Sequence, residues 1–424
     1  MKVKKSTFSR ISILLYTLYF YYNQQIAALI NYRFSVMLLL AAVLFAFAGN
    51  STLNKRIKVF LTMWILLIFL YLFNNRAIVH GNTTYALIYL FYFLGGLLLS
   101  NSQVDTAEFA CKGLAYTGII HCISTIIFFL FPALYTPMPE ILGVTPTWGI
   151  GVGIEYGYRA GITTHYSSNG IYCSIEVICL FTLLMNYGKK AKRKYIALMT
   201  ILAVISLLLT AKRGHLVFTL CSLLMMWYFC SPGKKMNRLF KIVFSAVLIV
   251  SALLILAQFV PVIDGVISRF TDSEDISSGR FLIWARAFDA FKEHPFIGVG
   301  WWGFFYDVLN QTTYFGASNS HNVYIQLLCE TGCIGFIIML IFFFIHLRKT
   351  IEFAQCGEKG QNNNISMIIS TSLALQLFFL LYAFTGNDLY DFTVISYMLA
   401  CVMTAIIHSR LGKCMKGEIK EWNW

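Results

Sequence analysis

A histidine beside the start of an apolar segment is the first place in this sequence where chemistry could occur. His321 follows Ser318, Asn319 and Ser320, which are good N-cap residues, and an apolar run begins there. The N-terminus of a helix offers free N–H groups and a partial positive charge, so it binds anions. A histidine at that position can exchange a proton near neutral pH. Taken alone, His321 is explained more simply as a capped, structural histidine.

Cations beside other apolar segments could bind an anionic substrate. Arg280 has a planar fork of N–H donors that suits phosphate oxygens, and it is always charged. Lys212 and Arg213 are adjacent in a short turn between two apolar runs, where cations are costly and usually have a partner. The simpler interpretations are pairing with nearby acids for Arg280 and snorkelling to lipid headgroups for the adjacent pair. Arg286 follows on the segment of Arg280, and an anchoring role is its simpler interpretation.

A second segment has the same combination of a cation and a histidine beside a helix start. Arg159 and His165 precede the sequence YSSN at residues 166–169, which opens another apolar run. The two segments are therefore chemically alike. Packing within the loop explains this second pair equally well.

Four acidic residues are further candidates. Glu176 and Glu330 fall inside apolar runs, where an acid is a functional hypothesis by default. Each could equally neutralise an arginine or form hydrogen bonds within a helix bundle. Asp388 and Asp391, in the last short polar segment, could bind a sugar or an arginine.

The composition indicates a polytopic membrane protein. Of the 424 residues, 58% are hydrophobic and 12% are charged, whereas a soluble domain has about 25% charged residues. The net charge of +14 is distributed in short clusters between apolar runs, a pattern that sets membrane topology and does not suggest nucleic-acid binding. The 11 cysteines are scattered singly, so neither a disulfide framework nor a zinc site is expected.

Twelve apolar runs are long enough, or nearly so, to span a membrane. They lie near 11–30, 34–49, 58–73, 83–100, 112–131, 169–187, 195–210, 214–230, 240–260, 321–347, 365–385 and 390–408. The first is interrupted by Asn23, Gln24 and Gln25, so it could instead be an interfacial helix. With the N-terminus inside, 24 of the 33 Lys and Arg residues lie on the cytoplasmic side, as the positive-inside rule requires. We therefore expect a single integral membrane domain over residues 1–424 with both termini cytoplasmic.

Two long outer-face loops follow from this topology, at 132–168 and 261–320. Long loops with structure of their own are usually functional. In the second loop an amphipathic helix is expected near 280–292, ended by Pro295. Aromatic residues recur in it at spacings of three and four, and charged residues occupy the remaining surface; the aromatic residues are Phe281, Trp284, Phe288 and Phe291. The turn of Lys212 and Arg213 also faces outward, because the basic loops at 188–194 and 231–239 are both cytoplasmic.

Three features of this sequence resemble the O-antigen ligase and polymerase superfamily (Wzy/WaaL-like proteins). His321-Asn322, nine residues, Gly332, two residues and Gly335 match its signature, His-[Asn/Ser/Gln]-x9-Gly-x-x-[Gly/Thr/Tyr]. Arg280, followed by Trp284 and the sequence HPFIGVG at 294–300, is similar to the large periplasmic loop of the family. The Lys212-Arg213-Gly214 turn resembles its arginine-bearing helical hairpin. The resemblance covers roughly residues 200–340.

The resemblance implies a fold and a chemistry. The fold would be all-α and GT-C-like with about 12 transmembrane helices. The substrate would be an undecaprenyl-pyrophosphate-linked glycan at the outer face of the plasma membrane, and no metal or nucleotide sugar would be needed. Membrane lipid and a chain-length regulator protein would be further partners, with no nucleic acid. Transfer would invert the anomeric carbon.

The resemblance also implies roles for individual residues. Arg213 and Arg280 would stabilise the pyrophosphate leaving group, and His321 would act as the base or position the acceptor hydroxyl. These three residues are the expected catalytic set. The expected substrate-binding residues are Arg159, His165, Lys212, Asn322 and Arg286.

The kind of acceptor is less well defined by the sequence. The segment GITTHYSSNGIY at 161–172 looks more like capsule and exopolysaccharide polymerases than lipopolysaccharide ligases, which favours polymerisation of repeat units. The alternative is a ligase that transfers the glycan to lipid A core or another acceptor. A polysaccharide transporter would carry charges along a central path, and a non-catalytic assembly factor would tolerate loss of Arg213, Arg280 or His321.

Overall fold

The computed structural model describes residues 4–50, 83–143, 159–186, 190–231, 235–259, 264, 280–304, 319–356 and 363–411. These residues are mostly helical and include no β-strand. The α-helices are α1 (Lys5–Leu29), α2 (Tyr32–Gly49), α3 (Thr83–Leu99), α4 (Val104–Thr117), α5 (Ile119–Leu130), α6 (Met138–Ile141), α7 (Tyr166–Asn186), α8 (Lys190–Leu209), α9 (Arg213–Cys230), α10 (Lys235–Ala257), α11 (Arg280–Glu293), α12 (Val323–Cys356), α13 (Asn363–Tyr382) and α14 (Val394–Leu411). Two 3-10 turns lie at Pro132–Leu134 and Asp388–Tyr390.

Seven of the described helical segments are long and apolar enough to cross a membrane, which fits a multi-pass membrane protein. They are Tyr32–Gly49, Val104–Leu130, Tyr166–Asn186, Arg213–Cys230, Met236–Ala257, Val323–Gln355 and Asn363–Tyr382. Two shorter apolar helices are Ile88–Leu99 and Val394–His408. The expected count of twelve is not confirmed, and the expected span at 58–73 lies outside the described residues.

The helices differ in how much of their surface other helices cover. α7 and α13 are almost entirely buried, whereas the described side chains of α10 are nearly all exposed, as a lipid-facing helix would be. Polar side chains join the inner helices. Gln376 of α13, for example, donates to Thr350 of α12 at 2.8 Å and to Thr404 of α14 at 3.4 Å. Such interhelical hydrogen bonds replace the hydrophobic effect, which gives no net attraction between helices in lipid.

The polar interruption in the first apolar run has a structural role. α1 continues through it as one helix of 25 residues. Gln24 accepts a hydrogen bond from the Thr164 N–H at 3.0 Å, and Gln25 donates to the Ile162 carbonyl oxygen at 2.7 Å. The two glutamines therefore hold the segment that leads into α7 and that contains His165.

α12 is broken at Gly332, and a segment of extended chain fills the break. Gly332 has a φ of 61° and a ψ of −172°, a conformation that only glycine adopts readily. The backbone N–H of Val299 donates to the Cys329 carbonyl oxygen at 3.0 Å, and that of Cys333 donates to Pro295 at 2.8 Å. Residues 295–300 thus satisfy backbone groups that the break leaves without helical partners. Gly332 and Gly335 have the three-residue spacing that is typical of a close contact with a neighbouring helix, but Gly332 instead admits this chain segment.

Gly332→Ala is expected to destabilise the protein strongly. The backbone conformation alone should cost about 1–3 kcal/mol, and a Cβ atom would also overlap the Phe296 carbonyl group. We expect a markedly lower melting temperature and a lower folded yield in detergent. Gly143→Ala is the matched control, because Gly143 has a φ of 63° but nothing within 4 Å of its Cβ position. Equal effects of the two substitutions would contradict the close contact at Gly332.

The expected helix near 280–292 is present as α11, and it packs mainly through small residues. Ile283, Ala287 and Ala290 are buried in a small cluster that includes Cys329 of α12. Phe281 and Phe288 are exposed. Small residues allow close contact between helices, which leaves these two larger aromatic residues outside the contact.

Candidate active site

His321 lies in the turn before α12 and outside the helix. The N-cap of α12 is Asn322, whose Oδ1 accepts hydrogen bonds from the N–H groups of Tyr324 (3.0 Å) and Ile325 (3.1 Å). The cap is therefore Asn322 and not the Ser-Asn-Ser segment that the sequence suggested. The amide oxygen of Asn322 is engaged in this cap. His321 itself has a left-handed backbone conformation, with a φ of 53°.

Side chains from two helices hold the turn that carries His321. Trp284 of α11 donates from Nε1 to the Ser320 carbonyl oxygen at 2.8 Å. Gln326 of α12 accepts from the Ser320 N–H at 3.1 Å. The Nε2 of Gln326 donates to Asn319 and to Glu330, both at 3.1 Å. A left-handed conformation is costly for histidine, so these contacts are needed to maintain it. Glu330 forms a hydrogen bond within the bundle, one of the two roles considered for it.

The polar turn after α13 brings several of the candidate residues together. We call residues 383–387 the platform turn. Three of its groups each contact a different neighbour: the Ala383 carbonyl oxygen accepts from the Val323 N–H (2.8 Å), the Thr385 carbonyl oxygen accepts from Arg280 Nη1 (3.3 Å), and Asn387 Nδ2 lies 3.3 Å from His321 Nδ1. The platform turn therefore fixes the start of α12, the Arg280 guanidinium and the His321 ring relative to one another.

Sequence reasoning missed Thr385 and Asn387. Thr385 acts through its backbone carbonyl, which every residue has, and Asn387 belongs to a Gly-Asn-Asp sequence typical of any tight turn. Two candidate acids, Asp388 and Asp391, lie close to this turn in the sequence. Asp391 accepts from the Phe392 N–H at 2.6 Å, and burial raises the pKa of Asp391 to about 6. The side chain of Asp388 lies outside the described residues.

Lys212 and Arg213 lie where the chain turns from α8 into α9. Arg213 is the first residue of α9, and Lys212 Nζ lies 4.0 Å from the centre of the Tyr166 ring at the start of α7. Burial lowers the pKa of the Arg280 guanidinium, and the charge of Arg213 also acts to lower it. The cations of two separate segments are thus close enough to repel each other. We call Lys212, Arg213 and Arg280 the cationic cluster.

His165 is positioned as a neutral hydrogen-bond donor. Its Nδ1 accepts from the Ser167 N–H at 3.1 Å, and its ring stacks on Tyr166 with the centroids 4.4 Å apart. Because a ring nitrogen that accepts carries no proton, the proton of the neutral ring is on Nε2. Burial, with the charges of Lys212 and His321, lowers the pKa of His165 to about 4. At pH 7 His165 therefore presents an N–H without a charge.

The remaining two candidates are Arg159 and Arg286. The Arg159 carbonyl oxygen accepts from Asn169 Nδ2 at 2.8 Å, which ties the segment before α7 to that helix. Arg286 is exposed on α11, whereas Lys212, Arg213 and Arg280 are all half-buried. Arg286 is therefore the least desolvated of these four cations.

His321 is neutral at pH 7 and lies among cations. Burial, with the charges of Arg280 and Lys212, lowers the pKa of His321 to about 4. A neutral imidazole can accept a proton, and an anionic ligand beside it would offset the neighbouring positive charges. The arrangement can therefore bind a pyrophosphate and take up a proton at adjacent positions.

His215 is a third residue that sequence reasoning missed. It lies in the first turn of α9, two residues after Arg213, and is 2% exposed. Its ring packs on Tyr382 with the centroids 4.4 Å apart, and it also contacts Gly170. Within the described part of the chain, neither ring nitrogen has a hydrogen-bond partner. A histidine inside an apolar run has no signature that separates this position from ordinary packing.

Lys212→Gln should raise the pKa of both His321 and His165. Removing a positive charge favours the protonated ring, so the titration of each imidazole should move upward by about one pH unit. The measurement is a pH titration of labelled histidines by NMR in detergent. Lys292→Gln is the matched control, since Lys292 is exposed and pairs with Asp289. Unchanged titrations in Lys212→Gln would contradict the proximity of the three side chains.

Comparison with known families identifies the central part of the chain. Residues 198–340 match a family model described as O-antigen ligase. This segment includes the cationic cluster and His321, and the match confirms the resemblance to the O-antigen ligase and polymerase superfamily. Members of this family are glycosyltransferase-like enzymes with lipid-linked glycan substrates. No curated protein matches the chain.

Proposed function

We propose that this protein is a membrane glycosyltransferase that polymerises oligosaccharide repeat units linked to undecaprenyl pyrophosphate. Its main support is the convergence of the Lys212–Arg213 turn, Arg280 and His321 around the platform turn, in a chain with an O-antigen ligase family segment. The positive-inside bias of the sequence puts both termini in the cytoplasm and this site at the outer face.

The cationic cluster would bind the pyrophosphate of the donor. When the bond between the anomeric carbon and the phosphate oxygen breaks, its electron pair stays on that oxygen. Arg280 is held in place before the reaction by the Thr385 carbonyl oxygen, and the charge of Arg213 acts on it, so the two cations could stabilise this charge with little reorganisation. Arg280 is fixed at Thr385 by one of its five N–H donors, which leaves a fork that suits phosphate oxygens. These cations would take the role that a metal ion has in other glycosyltransferases.

His321 would take the proton of the acceptor. The acceptor hydroxyl oxygen attacks the anomeric carbon from the side opposite the pyrophosphate, which inverts that centre. Its proton passes to a ring nitrogen of His321, which can accept because burial and neighbouring cations keep the imidazole neutral, with a pKa of about 4. The rate gain also depends on orientation, for which the fixed backbone of His321 is suited.

His165 and Arg159 would hold the second substrate. His165 lies beside Lys212 and offers Nε2–H as a neutral donor, which suits a phosphate or a sugar oxygen. Arg159 precedes it in the same segment and adds a cation. The acceptor would thus enter from the side of α7, and the donor from the side of α11.

Ligation is the second candidate function. The matching family model is described as O-antigen ligase, and both reactions use the same donor and the same leaving group. The two differ only in the acceptor, which is a lipid-linked repeat unit for a polymerase and lipid A core or another molecule for a ligase. We prefer the polymerase because of the segment at 161–172, which surrounds His165.

A deletion strain distinguishes the two reactions. Without a polymerase, only single repeats should remain on undecaprenyl pyrophosphate, and the polymer ladder on a glycan gel should disappear. Without a ligase, long chains should accumulate on undecaprenyl pyrophosphate and be absent from the final acceptor. Complementation with the wild-type gene should restore the ladder. An unchanged glycan profile and unchanged lipid-linked intermediates in the deletion strain would refute both functions.

A further inference from the structure

The side chains of Asn387 and His321 face each other at the edge of the platform turn. Asn387 Nδ2 is 3.3 Å from His321 Nδ1. Both residues are held through their backbones. The Asn387 carbonyl oxygen accepts from the Tyr390 N–H at 2.8 Å, and Trp284 holds the carbonyl group next to His321. The contact between the two side chains is therefore a consequence of the fold around them.

The partner of Nδ1 determines what the other ring nitrogen can do. A neutral imidazole carries one proton, on Nδ1 or on Nε2. An amide nitrogen only donates and an amide oxygen only accepts, and the two orientations of an asparagine side chain have nearly the same shape. With Nδ2 facing His321, the proton is on Nε2, and the Asn387 Oδ1 is buried without a donor among the described residues. Turning the amide by half a rotation places Oδ1 on Nδ1–H and leaves Nε2 free to accept.

We propose that Asn387 is a positioning residue that selects the tautomer of His321, with its Oδ1 accepting Nδ1–H in the form that takes the acceptor proton. This inference rests on the proposed function, because it concerns the same proton transfer. This rotation of the side-chain amide also gives Asn387 Oδ1 a donor, His321 Nδ1–H, whereas in the other orientation Oδ1 is buried without one among the described residues. When Nε2 takes up the proton, both ring nitrogens carry N–H, and Oδ1 remains a suitable partner for Nδ1–H.

The charges around His321 explain why this partner is an amide. Arg280 on α11 and Lys212 before α9 both act on His321, and His321 in turn acts on His165 before α7. A carboxylate at residue 387 would neutralise part of the positive potential that holds the pyrophosphate. It would also favour the imidazolium and so reduce the neutral form at a given pH. An amide orients the ring without either effect.

Two substitutions at this position test the inference in reconstituted liposomes with a lipid-linked repeat unit. The leucine side chain of Asn387→Leu cannot accept a hydrogen bond from His321 Nδ1–H, so kcat should fall by about 10- to 100-fold with little change in KM. The carboxylate of Asn387→Asp can only accept a hydrogen bond, so this variant should retain substantial kcat. Its negative charge favours the imidazolium, so the acidic limb of the pH profile should move to higher pH. A merely structural role for Asn387 would not give this difference in kcat between two correctly folded variants.

The inference is overturned if Asn387→Leu has wild-type kcat, or if Asn387→Asp is as inactive as Asn387→Leu in correctly folded protein. His321→Ala is measured beside them. Wild-type activity of His321→Ala would reject the proposed function itself. If His321→Ala loses activity while Asn387→Leu keeps wild-type activity, only the role of Asn387 is rejected.

Discussion

His321→Ala should reduce glycan transfer by about 10²- to 10⁴-fold while leaving the protein folded. The substitution removes the group that takes the acceptor proton, but it leaves the cationic cluster that binds the donor. KM for the lipid-linked donor should therefore change little, and the loss should appear in kcat. The left-handed backbone is costly for alanine as it is for histidine, but Trp284 and Gln326 still hold the turn through the backbone of Ser320. The measurement is the rate of glycan extension by purified protein in liposomes.

The matched control for this prediction is His294→Ala. His294 lies in the segment that leads to the break in α12, and its side chain is exposed. Its replacement should leave the rate unchanged. If His321→Ala were as active as wild type at equal protein levels, His321 would be structural and proton transfer would have to be assigned elsewhere.

Arg280→Ala should cause a comparable loss of about 10²- to 10³-fold, because one fixed donor to the developing charge is removed. Arg280→Lys should restore little of the activity. The guanidinium reaches the Thr385 carbonyl oxygen with one N–H and keeps other N–H groups in a fixed plane, which an ammonium group cannot do. The loss of rate in Arg280→Ala should be larger for donor substrates whose leaving group is poorer.

Lys292→Ala provides the control for Arg280, since it removes a cation from the same helix. Lys292 is exposed and paired with Asp289, so its loss should have no effect on the rate. A full rescue by Arg280→Lys would contradict the role of the fork geometry. Equal losses in Arg280→Ala and Lys292→Ala would indicate a general effect of charge on the substrate.

The sequence predicted the membrane class and the candidate site residues because both leave local signals. Apolar runs and basic clusters identify membrane spans, and a cation or a histidine at the end of an apolar run is conspicuous. His321 had a further signal in the spacing of the family motif, and Lys212 and Arg280 had one in their resemblance to the hairpin and the large loop of the family. The roles of these residues remain proposals, whereas their proximity is a property of the structure.

The platform turn could not be predicted in the same way. Two of its contacts use backbone carbonyl oxygens, at Ala383 and Thr385, and a backbone atom has no residue-type signature. The third uses Asn387, which is common in any turn. These contacts depend on where α13 ends relative to α11 and α12, and that is a property of tertiary packing.

The position of Gly332 could be predicted from the sequence, but the reason for a glycine there could not. Its place in the motif is visible in the sequence, and a glycine three residues before another suggests close helix contact. The structure shows that the close contact is with residues 295–300, which complete the broken hydrogen-bond pattern of α12. The same glycine therefore links α11 and its following segment to the helix that starts beside His321.

The proposed reaction can be measured with purified protein reconstituted with a lipid-linked repeat unit in the presence of a metal chelator. The protein should lengthen the glycan on undecaprenyl pyrophosphate, release one undecaprenyl pyrophosphate for each transfer and give an inverted anomeric linkage in the product. Folded wild-type protein that neither extends the glycan nor releases undecaprenyl pyrophosphate, with a lipid-linked repeat unit as the acceptor, would contradict the proposed reaction.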